Sequence, residues 1–512
     1  MPLHTQLRGV LFVTIAVIST TVDVRTRETI TVRAGDDLQA AIDRAVSGDT
    51  IALEPGATFF GNFVLPNRSG AAYITIRSAT PDELLPQSGQ RVFPHHAPLL
   101  AKLQSPNERP ALQTAPSAHH WRLLFLEFGP NATPGSDIIR FGDGSSQQFS
   151  LDAVPHHLEI DRCYIHGDAN VGQKRGVALN SGQSRIANSY FADFKLIGQD
   201  AQAIAGWNGP GPYVIENNYL EASGENVLFG GADPWIPELV PSDITFRGNH
   251  VSKPTDWRRE RWTVKNLFEL KNARRVLIED NLFEHNWRAA QAGPAILFTP
   301  RNQDGRAPWS VVRDVMFRRN VVRHVAAAFN ILGLDDNHPS EHTTNIAIHH
   351  NLIVEVDSRA WGGSGAFVLL GDAARTVSIE HNTVMQTGAV VTVYGRPTTG
   401  FVFRNNLVRF NGLGIKGDAR ASGNETIATY LPGALITNNV FAEAPGNVRY
   451  PAGNQFPSHA VWVAQFRDYF GGDYSLTSSS IYRNAATGGG DLGADVSLLD
   501  RALAAASGFV RF

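Results

Sequence analysis

A six-residue phrase recurs along this chain: an apolar residue, two polar ones, an asparagine, then an apolar pair. It reads IENNYL at Ile215–Leu220, FRGNHV at Phe246–Val251 and IEDNLF at Ile278–Phe283. It returns as FRRNVV (Phe317–Val322), IHHNLI (Ile348–Ile353), IEHNTV (Ile379–Val384), FRNNLV (Phe403–Val408) and ITNNVF (Ile436–Phe441). The asparagines are 218, 249, 281, 320, 351, 382, 406 and 439, so the spacing runs from 24 to 39 residues. A repeat near this period means stacked supersecondary units, each burying its apolar face only against its neighbours.

Two weaker copies come first, IANSYF at Ile186–Phe191 with Ser189 in the asparagine place and IDRCYI at Ile160–Ile165 with Cys163. The phrases lie in short runs rich in Val, Ile and Phe, punctuated by Gly and Asn, which predicts strands. Helical periodicity is nearly absent between about residues 60 and 455. Asparagine tolerates the left-handed backbone region and bonds local backbone groups, so turn chemistry explains its fixed place. Stacked coil on coil, the amides are expected to form a ladder, with their apolar flanks pointing inward. The pattern resembles the single-stranded right-handed parallel β-helix of the pectate-lyase-like superfamily, an all-β solenoid. The resemblance covers roughly residues 60–455 and concerns fold, since that fold hosts lyases, hydrolases, epimerases and adhesins.

The chain has 512 residues, a length open to several domains, but the unbroken repeat argues for one solenoid with caps. Its net charge of −3 suggests no nucleic-acid partner. With 43% hydrophobic and 18% charged residues it falls among folded chains rather than disordered ones. The lone Cys163 excludes an intrachain disulfide framework and any multi-cysteine metal site. His4 and Arg8, the apolar run Gly9–Ile18 and Ser19–Thr21 resemble a secretory signal peptide, here residues 1–23, which implies a secreted or periplasmic protein. No nucleotide-binding glycine loop precedes a helix, so no nucleotide cofactor is expected. A monomer is expected.

Residues 24–60 read as an N-terminal cap. Gly35–Asp49 predicts a helix with Asp36 as N-cap, Gln39 as its capping-box partner, Leu38, Ala41, Ile42 and Ala45 on one face, and Gly48 at its end. Such a helix covers the open first coil and blunts a strand edge. The solenoid proper is expected over 61–455, and 456–512 reads as a closing tail.

In the resembled fold each coil has three strands, with the Asn turn between the second and third; the first strands line the groove where sugars bind. The candidate first strands here include Val177–Asn180, Ala203–Gly206, Asn226–Phe229, Leu267–Lys271, Ala295–Thr299, Phe329–Leu332, Ala366–Leu370, Val390–Tyr394 and Gly414–Lys416. Alternation puts Phe268, Leu270, Ile296, Phe298, Ile331, Val393 and Ile415 inward. Asn180, Glu269, Lys271, Thr299, Asn330, Tyr394 and Lys416 then face out, with Arg301 and Arg396 just beyond their strands. Lys271 and Arg301 are one coil apart and should sit side by side. Two long loops adjoin them, KPTDWRRERWTVKN (Lys253–Asn266) and TPRNQDGRAPW (Thr299–Trp309), carrying Arg258, Arg261, Lys265, Trp262 and Trp309. Cationic groups with aromatic faces suit an acidic polysaccharide as partner.

SGENVLFGG and FELKN bear a partial likeness to the chondroitinase-B-like and alginate-type polysaccharide lyases. That likeness implies Lys271 as the base that removes the C5 proton of a uronate, Arg301 as its partner in proton transfer, and Glu225 and Glu269 as ligands of Ca²⁺. Arg258, Arg261, Lys265, Trp262, Asn330, Tyr394 and Arg396 are the expected substrate contacts. The chemistry demands neutralisation of the sugar carboxylate, because the C5 proton is only weakly acidic.

Other readings stay open. Asp335 and Asp336 in GLDDNH resemble part of the polygalacturonase pattern, in which aspartates serve as general acid and base. The same phrase, with His338 and His342, faintly echoes the uronan C5-epimerases. A non-catalytic glycan-binding or structural β-helix is a further reading. His349, His350 and His381 read as surface turn residues, and the seventeen histidines show no metal-ligand spacing.

Overall fold

A computed structural model describes Met1 and residues 27–499. The proposed signal peptide therefore lies, all but its first residue, outside the described residues. Three long sheets, each built of parallel strands, make a right-handed parallel β-helix. In chain order each full coil contributes a strand to a 12-stranded groove sheet, one to a 14-stranded back sheet and one to a 13-stranded side sheet. A representative coil runs Pro294–Phe298 (groove), Val312–Arg318 (back) and Val321–Val325 (side). The nine candidate first strands all fall in the groove sheet, as Arg175–Leu179, Gln202–Gly206, Val227–Phe229, Phe268–Leu270, Pro294–Phe298, Ala327–Leu332, Val368–Gly371, Val391–Tyr394 and Ile415–Gly417. Phe268, Leu270, Ile296, Phe298, Ile331, Val393 and Ile415 all enter the core.

The asparagines form an unbroken ladder between the back and side sheets. Asn218 N–H donates to Asn249 Oδ1 (2.9 Å), Asn249 to Asn281 (2.8 Å), Asn281 to Asn320 (3.0 Å) and Asn320 to Asn351 (2.9 Å). The series continues through Asn382, Asn406 and Asn439 and ends on Asn454, which stands outside the repeated phrase. At the other end Cys163 N–H donates to Ser189 Oγ (3.0 Å), and Ser189 N–H to Asn218 Oδ1 (2.9 Å). Each side-chain NH₂ also bonds the next Oδ1 or a carbonyl two strands back, as Asn320 Nδ2 does with Asn351 Oδ1 and Ile278 O. Buried polar groups are tolerable only when paired in this way. Burial pushes the Cys163 thiol up to about 12.

Two expectations about the phrase need correction. The left-handed residue is the one before the asparagine, with φ of 52° at Asn217, 58° at Asp280, 52° at Arg319 and 58° at His350. The ladder position instead needs an amide that donates and accepts in the core. Nor do both apolar residues after the asparagine point inward. The second does: Leu220, Val251, Phe283, Val322, Ile353, Val384, Val408 and Phe441 are fully buried in the main core. The first (Tyr219, His250, Leu282, Val321, Leu352, Thr383, Leu407, Val440) turns outward on the side sheet, since strand side chains alternate.

The tail explains what covers that outward row. Trp462, Phe466, Tyr482, Leu492, Val496 and Leu499 pack on Leu282, Val321, Leu352, Leu407 and Val440 as a second apolar core. The chain thus doubles back along its own side sheet after the last coil.

At the entry end the helix is shorter than expected, Leu38–Arg44, and its N-cap is Asp37, whose side chain accepts from Ala40 N–H (3.0 Å). Asp36 instead accepts from Arg33 N–H, one turn earlier. Gln39 makes no capping box. Its amide bonds Val64 backbone in both directions (3.0 and 2.9 Å), pinning the helix over the first groove strand. Gly48 (φ 96°) sits in the turn after the helix rather than at its last residue. The back sheet already begins with Thr29–Val32, paired to Thr50–Leu53, so cap and solenoid share strands.

Candidate functional site

The outer face of the groove sheet carries a row set by register: Arg140, Ala178, Ala205, Leu228, Glu269, Leu297, Asn330, Leu369, Thr392 and Lys416. Its walls are loops. Residues 253–266 lead from a side strand into the groove sheet and residues 299–311 lead out of it, so the two long loops stand on opposite edges.

Lys271 follows the strand Phe268–Leu270. Its Nζ lies 2.8 Å from Glu269 Oε1, and that carboxylate is fully buried. Arg301 N–H donates to Lys271 C=O (2.8 Å), so the two are adjacent across one coil as expected. Their side chains serve different carboxylates. The Arg301 guanidinium pairs with buried Asp335 (2.8 Å) and with Asp336 (3.1 Å). Asp335 also accepts from Asn302 N–H (2.6 Å) and Asn337 N–H (3.0 Å), so it holds Arg301 and its own loop.

Glu225 lies beneath the same wall. Burial, then the charges of Glu269 and Asp200, push its carboxyl up. Gln202 Nε2 donates to Glu225 Oε2 (2.8 Å), and Lys265 Nζ stands 3.3 Å from Oε1 while also pairing with Asp200. Asn266 Nδ2 donates to Glu269 Oε2 (3.0 Å). Three of the four oxygens of Glu225 and Glu269 therefore face side-chain nitrogens of Gln202, Lys265 and Asn266, and the fourth, Glu269 Oε1, pairs with the Lys271 ammonium without a hydrogen bond. Ca²⁺ requires six to eight open oxygen ligands. As placed, the two carboxylates do not fit it; Lys265 and Lys271 bring the positive charge instead. A third lysine, Lys253, is fully buried nearby. It donates to the carbonyls of Ala222, Gly224 and Asn266 and to Asn226 Oδ1, all within 2.9 Å, and burial holds its ammonium well below the ordinary value.

A cleft of about 560 Å³ opens on the N-terminal coils of the groove sheet, lined by Lys174, Arg175, Asp200, Trp207, Leu228 and Gly231 among others; Lys271 is not in its lining and adjoins it through Gly231. It adjoins a second cleft of about 340 Å³ that shares Lys174, Arg175 and Trp207 and adds Asp137 and Arg140. Gly231 (φ 82°) matters here, because a Cβ on it would meet Leu228 at 3.1 Å and the Lys271 stem at 3.6 Å. Arg175 bridges Asp137 (2.8 Å) and Gln202 (3.0 Å), with its guanidinium 5.1 Å over the Trp207 ring. Trp207 Nε1 donates to Gly144 O (3.0 Å), which fixes the ring as part of the floor. Sequence reasoning missed Arg175 because the first strand was begun two residues late, and missed Trp207 because it lies just beyond the end of the strand Gln202–Gly206.

The expected substrate contacts are dispersed. Trp262 packs with Trp361 against the small core of Trp257, Val264 and Trp287, and Lys195 lies 5.1 Å over its ring. Its Nε1 donates to Glu260. Arg258 donates to Ala360 O (2.7 Å) and stacks over Trp361. Arg261 is exposed with no ion-pair partner among the described residues. Arg396 pairs with Asp372 (2.7 Å). Tyr394 lies over Gly371, and burial, then Asp372 and Asp336, push its hydroxyl up. Asn330 faces outward in the row between Leu297 and Leu369, its Oδ1 without a hydrogen-bond partner. Of the predicted set, Lys271, Glu225, Glu269 and Lys265 converge; Arg301 adjoins Lys271 through its backbone while its side chain turns to Asp335 and Asp336, and the others do not join them.

In sequence the chain matches no family model and no curated protein. Solved structures do match. The PL6 family alginate lyase AlyGC superposes with a TM-score of 0.48 at 14% identity, over 84% of this chain and 53% of that one. This chain spans about half the length of that lyase. A mannuronic acid specific polysaccharide family 6 lyase from human gut microbiota gives 0.43 at 14% identity, over 84% and 82%. The catalytic unit of the GH87 alpha-1,3-glucanase from Streptomyces thermodiastaticus strain HF3-3 gives 0.46 at 13% identity, over 84% and 67%. These are likenesses of architecture. They carry no reaction across to this chain, whose site rests on its own residues. Among the described residues no helix is long and apolar enough to cross a membrane.

Proposed function

We propose that this chain is a secreted or periplasmic polysaccharide lyase that cleaves a uronate-containing polymer by β-elimination. The observation that carries the reading is the adjacency of Lys271 and Arg301 across one coil at the edge of the groove sheet, each held by a buried carboxylate. In the proposed step Lys271, in its neutral form, takes the C5 proton. The C5 electron pair becomes the C4–C5 double bond, the C4–oxygen bond breaks, and the departing glycosidic oxygen takes a proton from the Lys271 ammonium just formed, which returns the base to its neutral form. Glu269, 2.8 Å away, positions the Lys271 side chain. Arg301 provides charge for the sugar carboxylate, which stabilises the developing carbanion. Arg175 and Trp207 offer a charged and an aromatic surface for the flanking sugars. No step is assigned to Ca²⁺.

The hydrolase reading has weaker support, since Asp335 is occupied by Arg301, Asn302 and Asn337 rather than free to act as an acid or base. The test is incubation of the full chain with a panel of uronans. Unsaturated, ultraviolet-absorbing ends support the lyase. New reducing ends without that absorbance would install the hydrolase. Binding without any product would make the chain a glycan-binding protein.

A further inference from the structure

Four histidines converge on the back sheet, away from the groove. His119 and His120 open the strand His119–Leu124, and His156 and His157 open the next strand, His156–Asp161. The register sets His156 directly against His119. Adjacent strand residues ordinarily point to opposite faces. Here His120 (φ 57°) and His157 (φ 53°) take the left-handed conformation, which brings both rings of each pair to the outer side, while Trp121 remains buried in the core. The same kink recurs down the sheet at Gln183, Asp243, Arg275, Asp314, Asn345 and Thr376, but only these two coils carry paired histidines there.

The rings form a compact set. His119 stacks on His156 (centroids 5.0 Å, interplanar 10°) and His120 on His157 (4.3 Å, 11°). Nδ1 of His119 lies 2.8 Å from Nδ1 of His120, and Nδ1 of His156 lies 2.7 Å from Nδ1 of His157. Ligand nitrogens of His120, His156 and His157 all fall within 4.8 Å of one another, and His119 stands outside that group, joined to it by its 2.8 Å contact with His120. Among the described residues no carboxylate is hydrogen-bonded to any of the four rings, and no ion pair accounts for their gathering. All four are partly exposed, so an ion has access.

We infer that His120, His156 and His157, with His119 beside them as the available fourth ligand, form a binding site for one divalent transition-metal ion of the Zn²⁺ type. Neutral imidazoles suit Zn²⁺, Cu²⁺ and Ni²⁺, and the all-nitrogen set does not suit Ca²⁺ or Mg²⁺. Tetrahedral bonds of about 2.0–2.1 Å to nitrogen place two ligand atoms ~3.3 Å apart, so each pair needs to open by roughly half an ångström. The ion would tie two successive coils together through side chains. A second cluster, Glu284, His285 and His324, is a poorer candidate. The Arg323 guanidinium already occupies Glu284 at 2.7 Å and His250 takes its other oxygen at 2.8 Å.

The test uses the full chain, stripped with a chelator and titrated with Zn²⁺ and Co²⁺. One ion per chain is expected, with visible Co²⁺ bands of a tetrahedral nitrogen site and a higher Tm with Zn²⁺. H120Q/H157Q should weaken Zn²⁺ affinity at least a hundredfold, and H285A/H324A should leave it unchanged. A variant-free readout covers misfolding: Zn²⁺ should protect His119, His120, His156 and His157 of the native chain from diethylpyrocarbonate, as mapped by peptide mass. No bound ion at micromolar Zn²⁺, an unchanged affinity in folded H120Q/H157Q, or protection of His285 and His324 instead overturns the inference. The short Nδ1–Nδ1 contacts would then be hydrogen bonds between imidazoles and nothing more.

Discussion

Lys271 Nζ lies 2.8 Å from Oε1 of Glu269, a carboxylate with no exposure to solvent. If Lys271 is the base, K271M should lower turnover of a uronan by roughly 10²–10⁴-fold, the usual contribution of a positioned general base. E269Q should retain the fold and lower turnover less than K271M does, since it removes the ion pair that positions Lys271 but leaves the amine. Unsaturated-product absorbance across pH 5–10 reads both. Full activity in K271M would end the assignment.

Glu225 and Glu269 are occupied by Gln202, Lys265 and Asn266 and, at Glu269 Oε1, by the ion pair to Lys271. Activity and Tm should therefore be the same after dialysis against a Ca²⁺ chelator as with millimolar Ca²⁺. A Ca²⁺ requirement would mean that the lysines give way to the ion.

Trp207 sits between the two clefts with Arg175 across its face. W207A should raise KM about tenfold with kcat within a few-fold, the loss expected for an aromatic contact made equally in ground and transition states. A fall in kcat with no change in KM would place Trp207 nearer the reacting sugar.

Asn320 accepts from both N–H groups of Asn281 and donates to Ile278 O and Asn351 Oδ1. N320A leaves buried donors and a carbonyl without partners, and each such group costs about 1–3 kcal/mol. Its urea midpoint should fall well below that of an exposed control such as R261A. N320D should also destabilise, because it keeps the acceptor but loses the donor.

Burial, with the charge of Asp193, pushes the Glu221 carboxyl up to about 7. A raised folded-state value means that the native chain holds the proton more tightly than the unfolded one. The contribution is fully present below about 4.5 and is lost as pH rises through about 7, a difference of up to about 3 kcal/mol. E221Q should flatten stability between pH 5 and 8 in urea titrations. An unchanged slope would show that the carboxyl ionises freely in the fold.

The coils were legible because their period is written in residues that must stack. The inward set followed from alternation alone, and every member entered the core. The phrase also held a signal that went unread. In the residue after each asparagine, Tyr219 and His250 give way to Leu282, Val321, Leu352, Leu407 and Val440, and that change marks where the tail lies. The loop tryptophans misled because aromatic residues near a groove need not face it; Trp257 and Trp287 hold the loop together. Arg175 escaped because its strand was begun two residues late, and Trp207 because it follows its strand rather than belonging to it. The histidine group was invisible to spacing rules, since its pairs are 37 residues apart and meet only through register.

The tail that returns along the side sheet has a consequence for biosynthesis. Chains emerge from the ribosome N-terminus first, and coils can stack as they appear. The apolar row from Leu282 to Val440 must then wait, uncovered, for Trp462, Tyr482 and Leu492 to be made. A nascent chain halted before residue 459 would present that row as an adhesive stripe, and release of the last segment would be the event that makes the molecule soluble.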